Sequence, residues 1–190
     1  MVDPSNITNF DRSEAELEEF ALFCPAVAGK TAKVQAEKLD RLLENLSEIF
    51  GGSPFDLVRK SWESMTLEDR LREVKLGKYS TLVPCYRQMA VNDAEELLKM
   101  SPEELKQFPG VGDKTARFFL MHAKEDANVA TLDTHILKWM SKELGIEVPD
   151  GTPGSTEEYE RLEKLFLKEA NRRDRHPAHL DLEIWNQYSV

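Results

Sequence analysis

Phe108-Pro109-Gly110-Val111-Gly112-Asp113-Lys114-Thr115-Ala116 is the stretch from which the remainder of the chain is read. Two glycines flanking one apolar residue permit a turn with positive φ. They also leave backbone N–H groups exposed at a helix start, which makes a seat for an anion. Upstream, Ser101-Pro102-Glu103-Glu104 supplies an N-cap, a proline at the first helical position and a carboxylate at the third, so a helix is predicted from there to about Gln107. Downstream, Ala116, Phe119, Leu120 and Ala123 keep helical spacing from Asp113 onward. The stretch reads as helix, tight hairpin, helix. Gly110, Val111 and Gly112 would then present amides to a nucleic-acid phosphate, which offers charge and several acceptors.

Lys114 is followed 19 positions later by Asp133, in Leu132-Asp133-Thr134-His135-Ile136. Taken singly, each residue has an ordinary explanation: a lysine in a first helical turn contacts phosphate, and an aspartate before a helix is an N-cap worth about 1 kcal/mol. Together, in this order and behind this hairpin, they resemble the signature of the helix-hairpin-helix (HhH-GPD) DNA glycosylase superfamily. The recognisable motif runs from about Leu105 to Trp139. The loop before the aspartate, Lys124 to Thr131, lacks the glycines and prolines usual in that family.

The resemblance implies a two-lobed helical fold with the hairpin at the lobe junction, and it implies catalytic roles for Lys114 and Asp133. Breaking an N-glycosidic bond requires stabilisation of an oxocarbenium-like sugar and a nucleophile on its far face. At the positive end of a helix dipole an ammonium is disfavoured, so Lys114 is expected to supply a neutral amine that attacks C1′. The resulting Schiff base allows β-elimination of the 3′ phosphate, and Asp133 would hold the cationic sugar or carry protons. His135 reads as structural, and His122, His176 and His179 show no metal spacing with acidic partners.

Two cysteines, Cys24 and Cys85, cannot supply the four thiolates of the iron–sulfur cluster that many relatives carry, and they read as buried thiols. No cofactor is expected, although the hairpin carbonyls leave room for a monovalent cation. A cluster-free chain of 190 residues with this lysine and with Leu182 to Tyr188 near its end looks most like the compact type-2 8-oxoguanine DNA glycosylase/lyases. In those enzymes the end of the chain helps to form the base pocket. By that likeness Trp185 or Phe119 would stack on an extruded base, and the Val190 carboxylate would accept its N–H groups.

Charge adds a constraint. Lys and Arg number 25 against 35 Asp and Glu, a formal charge of −10, which argues against adhesion to DNA over the whole surface. Between Asp3 and Glu19 six acids face one base, Arg12, so this end should turn away from a polyanion. Between Arg70 and Arg87 the bases Arg70, Arg72, Lys75, Lys78 and Arg87 stand against Glu73 alone. That pattern reads as a basic face for DNA, with Lys78 and Arg87 on phosphate, or as an unevenly charged solvated helix. The polar Met1 to Asn6 segment has no signal-peptide pattern and no apolar run is long enough for a membrane, which points to a cytoplasmic or nucleoid monomer acting on double-stranded DNA.

Along the chain, Ser13 to Phe23 is predicted as a helix ended by Pro25, with Leu17, Phe20, Ala21 and Phe23 inward and an acidic outer face. Lys30 to Phe50 is predicted as a long helix with Gln35, Leu39, Leu42, Leu43, Leu46, Ile49 and Phe50 on one stripe, stopped by Gly51-Gly52. Gln35 is the lone polar residue of that stripe. It is either a side chain at the mouth of a cleft contacting a base or a half-buried amide satisfied by backbone, the commoner arrangement. Shorter helices follow through Val58, Leu71 and Tyr86, a capping box opens at Asp93, and helices run after Asp133, from Ser155 to Arg173 and from Pro177 to Tyr188. With no period-two pattern the chain is all-α. We expect one domain over 1–190 with two lobes: 13–29 and 146–190 forming one, and 30–145 with the hairpin forming the other.

Two other functions fit the same residues. A non-catalytic DNA-binding module would use the hairpin only to seat phosphate. A monofunctional glycosylase would activate water with Asp133 and keep Lys114 as a contact.

Overall fold

A computed structural model describes residues 1–188; positions 189 and 190 lie outside the described residues, and with them the expected role of Val190. Among the described residues there are helices and no strands. A 3-10 turn at Pro4–Asn6 precedes α1 (Glu14–Val27), α2 (Ala32–Phe50), α3 (Pro54–Glu63), α4 (Leu67–Glu73) and α5 (Tyr79–Met89). Two single-turn helices, α6 (Ala94–Leu97) and α7 (Pro102–Leu105), lead to α8 (Asp113–Ala123), α9 (Thr134–Leu144), α10 (Thr156–Arg172) and α11 (Pro177–Tyr188).

Local chemistry sets most of these boundaries. Reciprocal capping boxes start α1 at Ser13/Glu16, α3 at Ser53/Asp56 and α7 at Ser101/Glu104. Gly51 and Gly145 close α2 and α9 at positive φ, 63° and 64°. Asp93 caps α6 without a side-chain hydrogen bond, so its predicted capping box does not form.

The interior divides into two apolar clusters. The first is built from α1 to α8, and the second from the inner side of α8 with α9, α10 and α11. This differs from the expected grouping of residues 13–29 with 146–190. Leu17, Phe20, Ala21, Leu22, Phe23, Cys24 and Ala26 are all buried, so α1 is apolar nearly all round. A helix of that kind belongs at the centre of a bundle, and α1 packs against α2, α3, α5, α6 and α8. Nor does Pro25 end it. The helix continues for two residues past the proline, which removes the N–H donor to the Ala21 carbonyl in the last turn. Ile49, expected inside, is 52% exposed.

α8 is the seam between the clusters. Ala116, Phe119, Leu120 and Ala123 face the first, and Met121 faces the second. The hairpin therefore stands at the junction of the two lobes.

Candidate active site

The hairpin forms as its residues dictate. Gly110 adopts φ 79°, a left-handed conformation that favours glycine, and a Cβ there would lie 2.2 Å from Thr81 Cγ2 at the start of α5. Val111 N–H closes the turn on the Phe108 carbonyl at 3.1 Å. Gly112 is extended and serves as the N-cap of α8, with its carbonyl accepting from Ala116 N–H at 3.0 Å. The first-turn amides of α8 have no acceptor within the helix, and Lys114, half-buried, sits in that turn.

Asp133 caps α9. Its Oδ1 accepts from the backbone N–H groups of His135 at 2.8 Å and Ile136 at 2.9 Å. The capping role read from the sequence is thus real, and it occupies a single oxygen. Oδ2 takes no part in the cap.

A second carboxylate accompanies these two side chains. Asp181, on α11, is buried, and burial pushes its carboxyl above the ordinary value; the nearby charge of Asp133 adds to that rise, while His122 and Lys114 oppose it. Asp133 and Lys114 therefore each lie within range of the Asp181 carboxyl. His122 Nε2 is 3.3 Å from Asp181 Oδ2, close enough for an ion pair but too poorly aligned for a hydrogen bond. Its Nδ1 meets Thr8 Oγ1 at 2.8 Å, and Phe118 packs on the ring at 4.7 Å between centroids.

A buried polar network ties the two catalytic candidates together. Arg117 Nη1 donates to Asp113 Oδ1 at 2.8 Å, and its Nε donates to Glu163 Oε1 on α10 at 2.9 Å. The same Glu163 oxygen accepts Ala130 N–H at 2.7 Å. Tyr159 accepts Leu132 N–H at 2.9 Å, donates to the Ala130 carbonyl at 3.0 Å, and lies under the Arg117 guanidinium at 4.6 Å. Burial raises the Glu163 carboxyl despite the Ala130 amide and Arg117, which favour its charged form.

The remaining candidates are dispersed. Lys78, exposed and left-handed at the start of α5, donates to the Ala28 carbonyl beyond α1, and burial followed by the nearby Lys30 charge lowers its pKa. Arg87 stacks on the partly exposed Trp62 ring at 4.9 Å. Arg70 and Arg72 pair with Glu73 and Glu68, which dilutes the basic face; Lys75, Lys78 and Arg87 have no carboxylate within ion-pair distance among the described residues. Phe119 does not fit a stacking role: its ring is buried in the first core, 5.9 Å from Phe20, because Ala116 and Leu120 turn that side of α8 inward. Its half-buried neighbour Phe118 sits beside His122 instead. Gln35 is fully buried, and its Oε1 finds no hydrogen-bond partner, so backbone does not satisfy it. Trp185 is half-buried on α11, one turn beyond Asp181.

Sequence reasoning missed Asp181, His122, Arg117 and Glu163 as site residues. One signal was available for Glu163. It lies four residues after Tyr159 and beside Leu162, on the inward face of an amphipathic helix, where a carboxylate needs a partner. Among the described residues no three His, Cys, Asp or Glu side chains come together in an arrangement that would hold a metal ion, and no helix is long and apolar enough to cross a membrane.

No protein-family model matches the chain. Solved structures do. The 8-oxoguanine glycosylase/lyase of Methanocaldococcus jannaschii, in complex with a 15mer DNA containing 8-oxoguanine, matches with a TM-score of 0.66 at 22% identity, covering 94% of this chain and 83% of that one. The 8-oxoguanine DNA glycosylase of Thermotoga maritima matches with a TM-score of 0.64 at 26% identity, covering 94% and 82%. A second structure of the Methanocaldococcus jannaschii enzyme gives 0.63 at 20% identity, covering 97% and 84%. The chain has the all-helical fold of these 8-oxoguanine DNA glycosylases and resembles them over most of its length.

Proposed function

We propose that this protein is a base-excision repair DNA glycosylase with AP lyase activity, and that its foremost substrate is 8-oxoguanine in double-stranded DNA. One observation carries the reading. On a glycosylase fold, Lys114 in the first turn of α8 and Asp133 at the head of α9 each lie within charge range of the buried Asp181.

In this reading the hairpin amides of Gly110, Val111 and Gly112 hold a phosphate, and Lys78 and Arg87 add cationic contacts. The Lys114 amine attacks C1′ as the bond to the base breaks, while Oδ2 of Asp133 faces the positive charge that develops on the sugar. The departing base takes the proton that the attached amine gives up, and the C1′–O4′ bond then opens, O4′ taking a proton from water, to leave the Schiff base. Loss of a C2′ proton from the Schiff base then expels the 3′ phosphate, and water releases the enzyme. The buried, unpartnered Oε1 of Gln35 supports a base-reading role, since an extruded base carries the N–H donors that it lacks. Trp185 would offer a stacking surface. Two cysteines set aside a four-thiolate cluster, so the chemistry rests on the protein's own side chains. A monomer of the cytoplasm or nucleoid suits this role.

The test is base release and strand cleavage on duplexes carrying 8-oxoguanine, an oxidised pyrimidine or an abasic site. Release from the 8-oxoguanine duplex with cleavage supports the proposal. Preference for the pyrimidine lesion would move the substrate, and release without cleavage would favour water activation by Asp133. Binding without either would leave a DNA-binding module.

A further inference from the structure

Lys114 and Asp133 come from segments joined by a ten-residue stretch, 124–133, that contains no helix between the end of α8 and the start of α9. Such a loop has many backbone conformations, and the separation of the two side chains depends on which one is held. Two side chains hold the end of it that leads to Asp133, while His176 meets the Glu125 carbonyl near its start. Tyr159 Oη takes Leu132 N–H and gives its own proton to the Ala130 carbonyl, so one hydroxyl clamps the Ala130–Thr131 and Thr131–Leu132 peptide groups shortly before Asp133. Glu163 Oε1 takes Ala130 N–H. Arg117 connects that carboxylate to Asp113, the residue before Lys114, and Lys106 reaches Asp113 from behind the hairpin at 2.9 Å.

Resting on the glycosylase/lyase reading above, we infer that Tyr159 and Glu163 are positioning residues for the reaction: acting through the backbone of residues 130–132 and through Arg117, they set Asp133 against Lys114. Neither faces the hairpin's outer surface, and both are buried in the second core. Their hydrogen bonds run to the two segments that bear the reacting groups and to nothing else among the described residues. Tyr86 provides the contrast: its buried hydroxyl donates to the Leu22 carbonyl at 2.9 Å, inside the first core and away from either segment.

The matched pair Tyr159→Phe and Tyr86→Phe is the experiment. Each substitution removes one buried hydroxyl from a fully buried ring and keeps the ring. The purified full chain is assayed for single-turnover base release from an 8-oxoguanine duplex, for binding to a duplex carrying an uncleavable tetrahydrofuran abasic analogue, and for thermal melting. Tyr159→Phe is expected to slow release about 10- to 100-fold, the scale of an ångström-level misplacement, while changing affinity for the analogue by less than about 3-fold. Tyr86→Phe is expected to lower melting comparably and to leave the release rate within about 2-fold. Glu163→Gln keeps an acceptor for Ala130 N–H and should fall between them, which retains a test if Tyr159→Phe fails to fold. Equal release rates for Tyr159→Phe and Tyr86→Phe in folded protein overturn the inference, as does a loss of analogue affinity that accounts for the whole rate effect. Absence of base release by the unsubstituted protein on every lesion overturns the underlying reading instead, and the inference with it.

Discussion

The two cores are built on different terms. Around α1 the interior is nearly all hydrocarbon and aromatic, and the buried polar residues are few: Glu18, whose carboxylate accepts Phe55 N–H at 2.9 Å, Gln35 and Ser61. The seam and the second core are smaller, yet they bury Arg117, His122, Thr131, Glu163, Glu169 and Asp181. Buried ion pairs add little net stability, because desolvation offsets much of their attraction. Of these, Arg117 and Glu163 bond to the segments that carry Lys114 and Asp133, and Asp181 lies within range of both charges, whereas the first core supplies most of the apolar burial. Its thiols fit that division: burial pushes Cys85 up to about 12 and raises Cys24 as well, which keeps both unreactive.

The division can be broken or sharpened by substitution. The largest effect is expected at Asp133→Asn, which should slow base release by roughly 100- to 10,000-fold, the usual contribution of a positioned acid or base. Melting should barely move, since asparagine caps a helix as well as aspartate does. A variant that loses stability and keeps its rate would reduce Asp133 to a cap. Leu42→Ala, fully buried in the first core, should cost about 2–5 kcal/mol in chemical denaturation with the rate per folded molecule unchanged. A rate loss there would dissolve the distinction between the cores.

At the hairpin, Gly110→Ala forces a side chain into φ 79° and against Thr81, and about 1–3 kcal/mol of strain is expected. DNA affinity should fall with it, with a shallower dependence on salt if the hairpin amides seat a phosphate. The smallest effect concerns Glu169, whose carboxyl Arg172 and Arg173 hold down at about 2. A carboxyl lowered from 4.5 in this way contributes stability that is present above 4.5 and is lost as pH falls through about 2. Because solvent reaches both arginines, the increment is at most about 1 kcal/mol. Glu169→Gln should flatten that part of an acid melting series and leave neutral pH nearly untouched.

Much of the fold was legible because local signals agreed. Ser53, Ser101, Gly51 and Gly145 each act where their chemistry predicts, and the spacing of Leu39, Leu42 and Leu46 marks the buried face of α2. The central position of α1 was harder to read. Its acids suggest a solvated face, but Glu18 is buried on a backbone amide of another helix, a partner that no local pattern announces. The hairpin, Lys114 and Asp133 were visible as a motif. Asp181 and His122, 59 positions apart, meet only through the packing of α11 on α8, and the Arg117–Glu163 pair spans 46. Phe119 lies on the buried stripe with Ala116, Leu120 and Ala123 that helical spacing marks, and its stacking role followed only from the family likeness.

The account turns on the amine of Lys114, and borohydride trapping reads it directly. The unsubstituted protein, incubated with borohydride on an 8-oxoguanine duplex and on an abasic duplex, should form a covalent protein–DNA adduct, and Lys114→Gln should form none. An adduct that persists in Lys114→Gln, or base release by the unsubstituted protein with no adduct on either duplex, would contradict it.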